Sequence, residues 1–335
     1  MNATTRPRFY ETLATAIEAG LPPAQALRTS APDDLAEVAD ALMAGQSLAA
    51  AFRRFGGAPP SDIAIVEVGE RSGRLPAALR RLGARYARKA AFQRRLIGRL
   101  AYPILLLHAA VLLPALPLVV SQGLTRYLSA TGSMLLMLYG VGFALSLAWR
   151  FLPLEGLVLR WPIIGPLLRS RAVADHAFVF GALLSAGAPL PESLKTAAQS
   201  VDLQALRAAG LRVAMAVRSG RSLADAMADE TAIFGKVTIE LVHTGEVAGK
   251  LETMLEQVET MAERDADQAS RLIVKALSAL ALFVAAVVIA SMVIGFWSGY
   301  AQRHAIARLF LIQAAIPGVA AISLRGRRSH AHRKL

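Results

Sequence analysis

Three long segments without a charged residue divide the chain. They run from Leu100 to Val120, from Leu128 to Trp149 and from Ala276 to Trp297. Each segment is long enough to cross the hydrocarbon core of a bilayer as an α-helix. A fourth apolar segment, Leu309–Leu324, is shorter and contains Pro317-Gly318; its pattern fits either a fourth crossing or an amphipathic segment at the membrane interface. The pattern therefore predicts three or four transmembrane helices.

The first apolar segment contains three prolines and a histidine. Pro103, Pro114 and Pro117 each remove a backbone donor and bend a helix. We therefore expect this segment to pack against other membrane helices, which satisfy the freed carbonyl groups. His108 is either a proton relay or a histidine hydrogen-bonded to a neighbouring helix. The second interpretation is favoured because no acidic residue accompanies it in the apolar segments.

The polar parts of the chain have the spacing of amphipathic helices. Leu75, Leu79 and Leu82 recur at helical spacing in the first part, and Leu251 and Leu255 do so in the second. No sustained alternation of apolar and polar residues indicates a β-strand. Serines at the predicted helix starts are expected N-caps, and glycines mark the predicted helix ends. The serines are Ser47, Ser61 and Ser222, and the glycines are Gly20, Gly45, Gly73, Gly187, Gly220 and Gly249.

Three sequence motifs occur twice and in the same order. They are A-G-x-P-x-x-x-[S/A]-L, G-x-S-L-A-x-A and G-E-x-x-G-[R/K]-L. Gly20 and Gly187 of the first motif are 167 residues apart, and Gly69 and Gly245 of the third are 176 apart. Each copy leads into an apolar segment, which indicates an internal duplication. Each copy predicts a bundle of about six short helices.

The third motif places one carboxylate between two glycines in each copy. A corner that requires positive φ would explain both glycines. We expect the carboxylate to accept backbone N–H groups at the start of the following helix, where the helix dipole favours negative charge. A metal site or a partner-binding site is the functional alternative. The residues are Gly69, Glu70, Gly73, Gly245, Glu246 and Gly249.

The two helices that follow these motifs have opposite charge. The first carries the basic residues Arg81, Arg85 and Arg88, and the second carries the acidic residues Glu252, Glu256 and Glu259. A solvated acidic face is the simpler interpretation. The alternative is that the two faces dock the bundles against each other, within one chain or between chains.

The positive charge is concentrated beside the apolar segments. The formal net charge is +13, yet residues 155–276 carry 13 basic and 15 acidic side chains. Residues 1–98 carry 14 basic and 9 acidic side chains, and the last residues are also basic. This distribution is typical of the positive-inside rule and not of a nucleic-acid-binding face. It predicts that both duplicated parts are cytoplasmic and that residues 122–127 lie outside.

The sequence lacks recognisable catalytic motifs. It contains no cysteine, which excludes disulfides and thiolate chemistry. G-E-V-A-G-K-L has three residues between its glycines where a phosphate-binding loop needs four, and Leu251 stands where that loop needs Ser or Thr. We therefore expect no catalytic, cofactor-binding or metal-binding residue.

The duplicated motifs, together with the linker W-P-I-I-G-P-L-L-R at Trp161–Arg169, resemble the F-type inner-membrane platform family of type II secretion and type IV pilus systems. The resemblance covers residues 9–298. It implies an all-α membrane protein with two cytoplasmic helical bundles. It also implies an oligomeric, non-enzymatic platform in the bacterial inner membrane. Its implied partners are a hexameric secretion or pilus ATPase, pilins or pseudopilins and other inner-membrane assembly proteins.

The predicted organisation has five parts. The first repeat covers residues 1–98, and the first two membrane helices with a short periplasmic loop cover residues 99–154. The second repeat covers residues 155–275, the third membrane helix covers 276–298, and an apolar segment with a basic tail covers 299–335.

A membrane transporter subunit is the main alternative function, although its spans should then carry ionisable groups beyond His108. A membrane-anchored regulator is a third, because residues 40–52 weakly resemble a helix-turn-helix.

Overall fold

The fold is all-helical, as predicted. The computed structural model describes residues 5–30, 35–56, 58–151 and 155–315, and within these ranges it contains α-helices and no β-strand. The chain separates into two compact units. The first unit comprises residues 1–101 and 144–276, and the second comprises residues 102–143 and 277–335.

The described residues of the first bundle form six helices, of which the first five lie wholly in the first unit. They are α1 (Arg6–Glu18), α2 (Pro23–Ser30), α3 (Ala36–Met43), α4 (Leu48–Phe55), α5 (Pro60–Arg71) and the long α6 (Leu75–Leu112). The faces predicted from helical spacing are buried: Leu79 and Leu82 have no exposed surface. They pack with residues such as Leu13 and Leu48 in the core of this unit.

The second bundle repeats this order after the helices of the membrane region. Those helices are α7 (Pro117–Gln122) and α8 (Leu124–Phe151), and the short α9 (Glu155–Arg160) follows them in the first unit. The repeat then consists of α10 (Gly165–Ser185), α11 (Leu190–Gln199), α12 (Gln204–Arg218), α13 (Leu223–Ala228), α15 (Lys236–Ala248) and α16 (Leu251–Ala315), with the short α14 (Thr231–Phe234) inserted. Helices α1–α6 therefore correspond in order to α10–α13, α15 and α16.

Local capping agrees with the sequence at most positions. The hydroxyl oxygens of Ser47 and Ser222 accept hydrogen bonds from Ala50 and Asp225, each at 3.1 Å, so both serines are N-caps. The six glycines predicted to end helices all have positive φ. The prediction for Ser61 was wrong, because α5 already begins at Pro60 and Ser61 lies inside its first turn.

Among the described residues, three helices are long and apolar enough to cross a membrane. They are α6, the part of α8 from Leu124 to Ala144, and the part of α16 from Leu251 to Gly295. The first predicted span is divided, because α6 ends at Leu112 before Pro114 and α7 starts at Pro117. Helix α16 continues to Ala315, so the start of the fourth apolar segment belongs to it. The rest of that segment, including Pro317-Gly318, lies outside the described residues.

Candidate functional site

The carboxylates of the duplicated turn motif cap helices. Glu70 accepts hydrogen bonds from the backbone N–H groups of Leu48 at 2.6 Å and Ala49 at 3.0 Å. The prediction that Glu70 caps the following helix was wrong. Glu70 caps α4, which precedes it in the chain, and not α6, which follows it. Negative charge at the start of α4 satisfies two N–H groups that no helical carbonyl can reach.

The second copy repeats this geometry. Glu246 accepts hydrogen bonds from the backbone N–H groups of Leu223 at 2.7 Å and Ala224 at 2.9 Å, at the start of α13. Each carboxylate thus ties the end of one helix to the start of another within its bundle. This arrangement gives the acidic residue of the motif a structural role.

Different structural constraints require the two glycines of each motif. Gly73 and Gly249 have φ angles of 70° and 64°, which favour glycine at the corner. Gly69 and Gly245 lie inside helices without positive φ, so the expectation that a corner explains them was wrong. A Cβ on Gly245 would lie 3.0 Å from the Cα of Leu251. These two glycines allow close helix packing.

The basic face of α6 contacts the second bundle. Arg81 donates hydrogen bonds to the carbonyl of Gly181 at 3.2 Å and the hydroxyl of Ser185 at 2.9 Å. Arg85 forms an ion pair with Asp175 at 2.8 Å, and its guanidinium lies 4.4 Å from the ring centre of Phe178. All these partners lie on α10, which the charge pattern had not identified.

Arg88 joins α6 directly to α16. It forms ion pairs with Glu259 and with Glu263, the second at 3.0 Å. The Glu259 side chain is only 5% exposed. Burial raises the pKa of the Glu259 carboxyl, although the Arg88 guanidinium opposes that shift. A buried carboxylate of this kind depends on its partner, because removal of one charge leaves the other uncompensated.

The remaining acidic residues of the predicted face lie farther from the arginines. Glu252 and Glu256 are exposed, and among the described residues neither forms an ion pair within hydrogen-bonding distance. Burial lowers the pKa of Arg81, and the charges of Glu259, Glu256 and Glu252 oppose this effect. The structure therefore brings together Arg88 and Glu259, and places the other two carboxylates at longer range.

Other contacts between the bundles were not predicted. Arg74 donates a hydrogen bond to the carbonyl of Ser185 at 2.7 Å. Gly181 allows Arg81 to approach, because a Cβ there would lie 2.8 Å from its Nη2 atom. Neither contact could be predicted from the sequence alone, because each depends on how α10 packs against α6.

Each bundle also buries polar groups. In the first, the carboxylate of Asp62 accepts hydrogen bonds from Tyr10 at 3.3 Å and Tyr86 at 2.5 Å. Burial and the charge of Asp62 raise the pKa of both phenols. In the second, burial lowers the pKa of His176 to about 4. Its Nε2 atom has no hydrogen-bond partner among the described residues, so His176 is neutral at pH 7.

In the membrane region, His108 forms a polar contact between two helices. Nε2 of His108 on α6 lies 2.7 Å from the hydroxyl of Tyr139 on α8. Its Nδ1 atom lies 2.7 Å from the carbonyl of Ile104. If Nδ1–H donates to that carbonyl, Nε2 accepts from the tyrosine. The geometry agrees with the favoured interpretation, a histidine bonded to a neighbouring helix.

The described residues contain no group of three or more histidine, aspartate or glutamate side chains that could hold a metal ion. The structure contains two similar bundles that arginine side chains join. In each bundle the carboxylate of the turn motif caps a helix, and the last helix leads into an apolar segment. Fold and contacts define a multi-pass membrane protein built on a duplicated helical domain.

Comparison with known proteins gives the family. The family model described as "Type II secretion system (T2SS), protein F" matches residues 9–121 and 177–298, one stretch in each half of the chain. The chain belongs to this family of platform proteins of secretion and pilus systems, and it is a multi-pass inner-membrane protein.

Relatives from both kinds of system are similar to the chain. It is 30% identical to a type II secretion system protein F of Aeromonas hydrophila over 294 residues, which cover 76% of this chain and 74% of the relative. It is 27% identical to a type IV pilus assembly protein PilC of Thermus thermophilus, over 69% of this chain and 64% of the relative.

Proposed function

We propose that the chain is the non-enzymatic inner-membrane platform of a type IV pilus or type II secretion machine. In this role it couples a hexameric cytoplasmic assembly ATPase to the insertion of pilins or pseudopilins into a growing filament. Both repeats face the cytoplasm, where the ATPase and other inner-membrane assembly proteins bind them. The chain acts as a homo-oligomer, and ATP hydrolysis belongs to the partner.

The observation that carries the proposal is the set of contacts between α6 and the second bundle. Arg81, Arg85 and Arg88 join the two duplicated bundles within one compact unit. Helices α6 and α16 then continue without a break into apolar segments. A displacement that a partner imposes on the bundles is therefore passed along continuous helices towards the membrane, as a coupling platform requires.

The first test is the identity of the proteins that accompany the chain. The tagged protein is cross-linked in cells, purified from mildly solubilised membranes and analysed by mass spectrometry. An unrelated multi-pass protein with the same tag is the control. We expect enrichment of an assembly ATPase and pilin-like subunits, and the pilin separates pilus from secretion. Reproducible recovery of a transport complex in their place would contradict the proposal and favour the transporter alternative.

The second test is the side of the membrane on which the bundles lie. The natural chain has no cysteine, so single-cysteine variants report position without background. Arg28→Cys and Arg218→Cys place a thiol on exposed residues of each bundle, and Thr125→Cys places one after α7. In spheroplasts a membrane-impermeant maleimide should label only Thr125→Cys. Labelling of either bundle before lysis would contradict the cytoplasmic placement.

A further inference from the structure

Three arginines converge on one carboxylate close to the membrane segments. Arg99 Nη1 and Arg271 Nη1 lie 2.9 Å and 2.6 Å from the carboxylate oxygens of Asp267. Arg95 Nε lies 3.9 Å from the same group. Arg99 also donates a hydrogen bond to the hydroxyl of Ser270 at 3.3 Å. Hydrogen bonding from Arg99, together with the charges of the arginines, lowers the pKa of Asp267.

The cluster has more positive charge than its carboxylate neutralises. One carboxylate faces three guanidinium groups, and Lys275 lies one helical turn beyond Arg271, on the same side of α16. The side chains of Arg95 and Arg271 are 56% and 46% exposed. Each guanidinium has five N–H donors, so most of them remain available to a further anion.

Exposed apolar side chains lie beside these charges in the chain. Ile97, between the arginines of α6, is 70% exposed, and Leu272, next to Arg271, is 62% exposed. The charge-free membrane segments begin at Leu100 and Ala276, only a few residues further along each helix. Basic side chains interspersed with exposed apolar ones are typical of the headgroup region of a bilayer.

We propose that Arg95, Arg99, Arg271 and Lys275 form a binding site for the phosphate headgroup of an anionic phospholipid. The guanidinium groups donate hydrogen bonds to phosphate oxygens, for which their planar geometry is well suited. Asp267 neutralises only one of these positive charges. The acyl chains lie along the charge-free segments that begin at Leu100 and Ala276, a contact that a soluble phosphate cannot make. The inference requires only that α6 and α16 cross the membrane, and not the coupling role proposed above.

Native mass spectrometry of the full chain tests the site. The purified protein is mixed with equal amounts of phosphatidylglycerol and phosphatidylcholine that have identical acyl chains. We expect about tenfold enrichment of bound phosphatidylglycerol, given the attraction of each basic residue for an anionic surface and its screening by salt. The triple variant Arg95→Gln, Arg271→Gln, Lys275→Gln should reduce the ratio to about one. An excess of soluble glycerol 1-phosphate should not displace the lipid.

The matched control removes the same charge elsewhere. The triple variant Arg28→Gln, Arg53→Gln, Arg218→Gln changes exposed residues of the two bundles and should keep the lipid preference. Equal loss in both triple variants, full retention in the first, or displacement by glycerol 1-phosphate would overturn the proposal.

A second variant tests the site if the first triple variant fails to fold. Asp267→Asn leaves every basic residue in place and removes the competing carboxylate. It should retain or increase the preference for phosphatidylglycerol. A decrease would overturn the proposal, because it would show that the carboxylate, and not the free guanidinium donors, determines lipid binding.

Discussion

The carboxylate of Glu246 caps the helix that begins at Leu223, with Oε1 2.7 Å from the backbone nitrogen of that residue. Glu70 makes the equivalent contact with Leu48 at 2.6 Å. The duplicated turn motif therefore holds each bundle together from within. A carboxylate that accepts two N–H groups of a helix start satisfies donors that would otherwise be unpaired.

Removal of either carboxylate should destabilise its bundle. We expect Glu70→Ala and Glu246→Ala each to lower the free energy of unfolding by about 2 kcal/mol, because charge-assisted capping bonds are lost. Thermal unfolding of the full chain in detergent, followed by circular dichroism at 222 nm, measures the effect. Glu240→Ala, at an exposed position of α15, is the control and should unfold like the wild type. Equal midpoints for all four proteins would contradict the capping role.

A methyl group at Gly245 should disturb the packing of α15 against α16. Its Cβ would lie 2.8 Å from Cγ of Met254 and 3.0 Å from the Cα of Leu251. We expect Gly245→Ala to cost about 1–3 kcal/mol of unfolding free energy. Gly98→Ala is the matched control, since a Cβ there meets nothing within 4 Å. It should be neutral or stabilise the helix by up to about 1 kcal/mol. Destabilisation by Gly98→Ala but not by Gly245→Ala would contradict the proposed close packing at Gly245.

Burial of His176 should make stability depend on pH. Its pKa is lowered to about 4 from an ordinary value of about 6.5. Between these values the unfolded chain binds a proton that the folded chain does not. Stability is therefore complete above about pH 6.5 and falls by about 3 kcal/mol as the pH drops to about 4.

The histidine contribution can be isolated by substitution. His176→Phe introduces the residue found at the equivalent position of the first bundle, Phe9, and should flatten this part of the pH profile. His243→Gln, at an exposed position, should leave the profile unchanged. Denaturation midpoints measured between pH 4 and pH 7 give the comparison. An unchanged slope in His176→Phe would assign the pH dependence to other groups.

Local chemistry made much of the fold predictable. The repeated motifs can be recognised directly in the sequence. Ser47 and Ser222 each accept a hydrogen bond from a backbone N–H group three residues further along the chain, and such local contacts can be predicted from the sequence. The apolar segments predicted membrane helices by length and composition alone. The division before Pro114 was less evident, because one proline inside a helix, Pro103, is tolerated while the next is not.

Contacts between distant helices were harder to predict. Glu70 and Leu48, whose backbone N–H group donates to its carboxylate, are 22 residues apart, so the sequence indicated a capping carboxylate but the wrong helix. The arginine face of α6 was visible, yet Arg81 and Arg85 contact α10 and only Arg88 reaches the acidic face of α16. Charge patterns identify a face that needs a partner, whereas the choice of partner depends on how the helices pack.

The most direct test of the account is a charge swap between the bundles. Arg88→Glu, Glu259→Arg and the double variant are each supplied to a host strain that lacks the native gene, and filament assembly or secretion is measured. Each single reversal should abolish most assembly, because it places like charges together at the buried position of Glu259, and the double variant should restore most of it. Arg28→Glu, which alters the exposed ion pair with Asp40, should assemble normally. Wild-type assembly by both single variants, or a double variant no better than either single one, would contradict the claim that contact between the duplicated bundles is required for platform function.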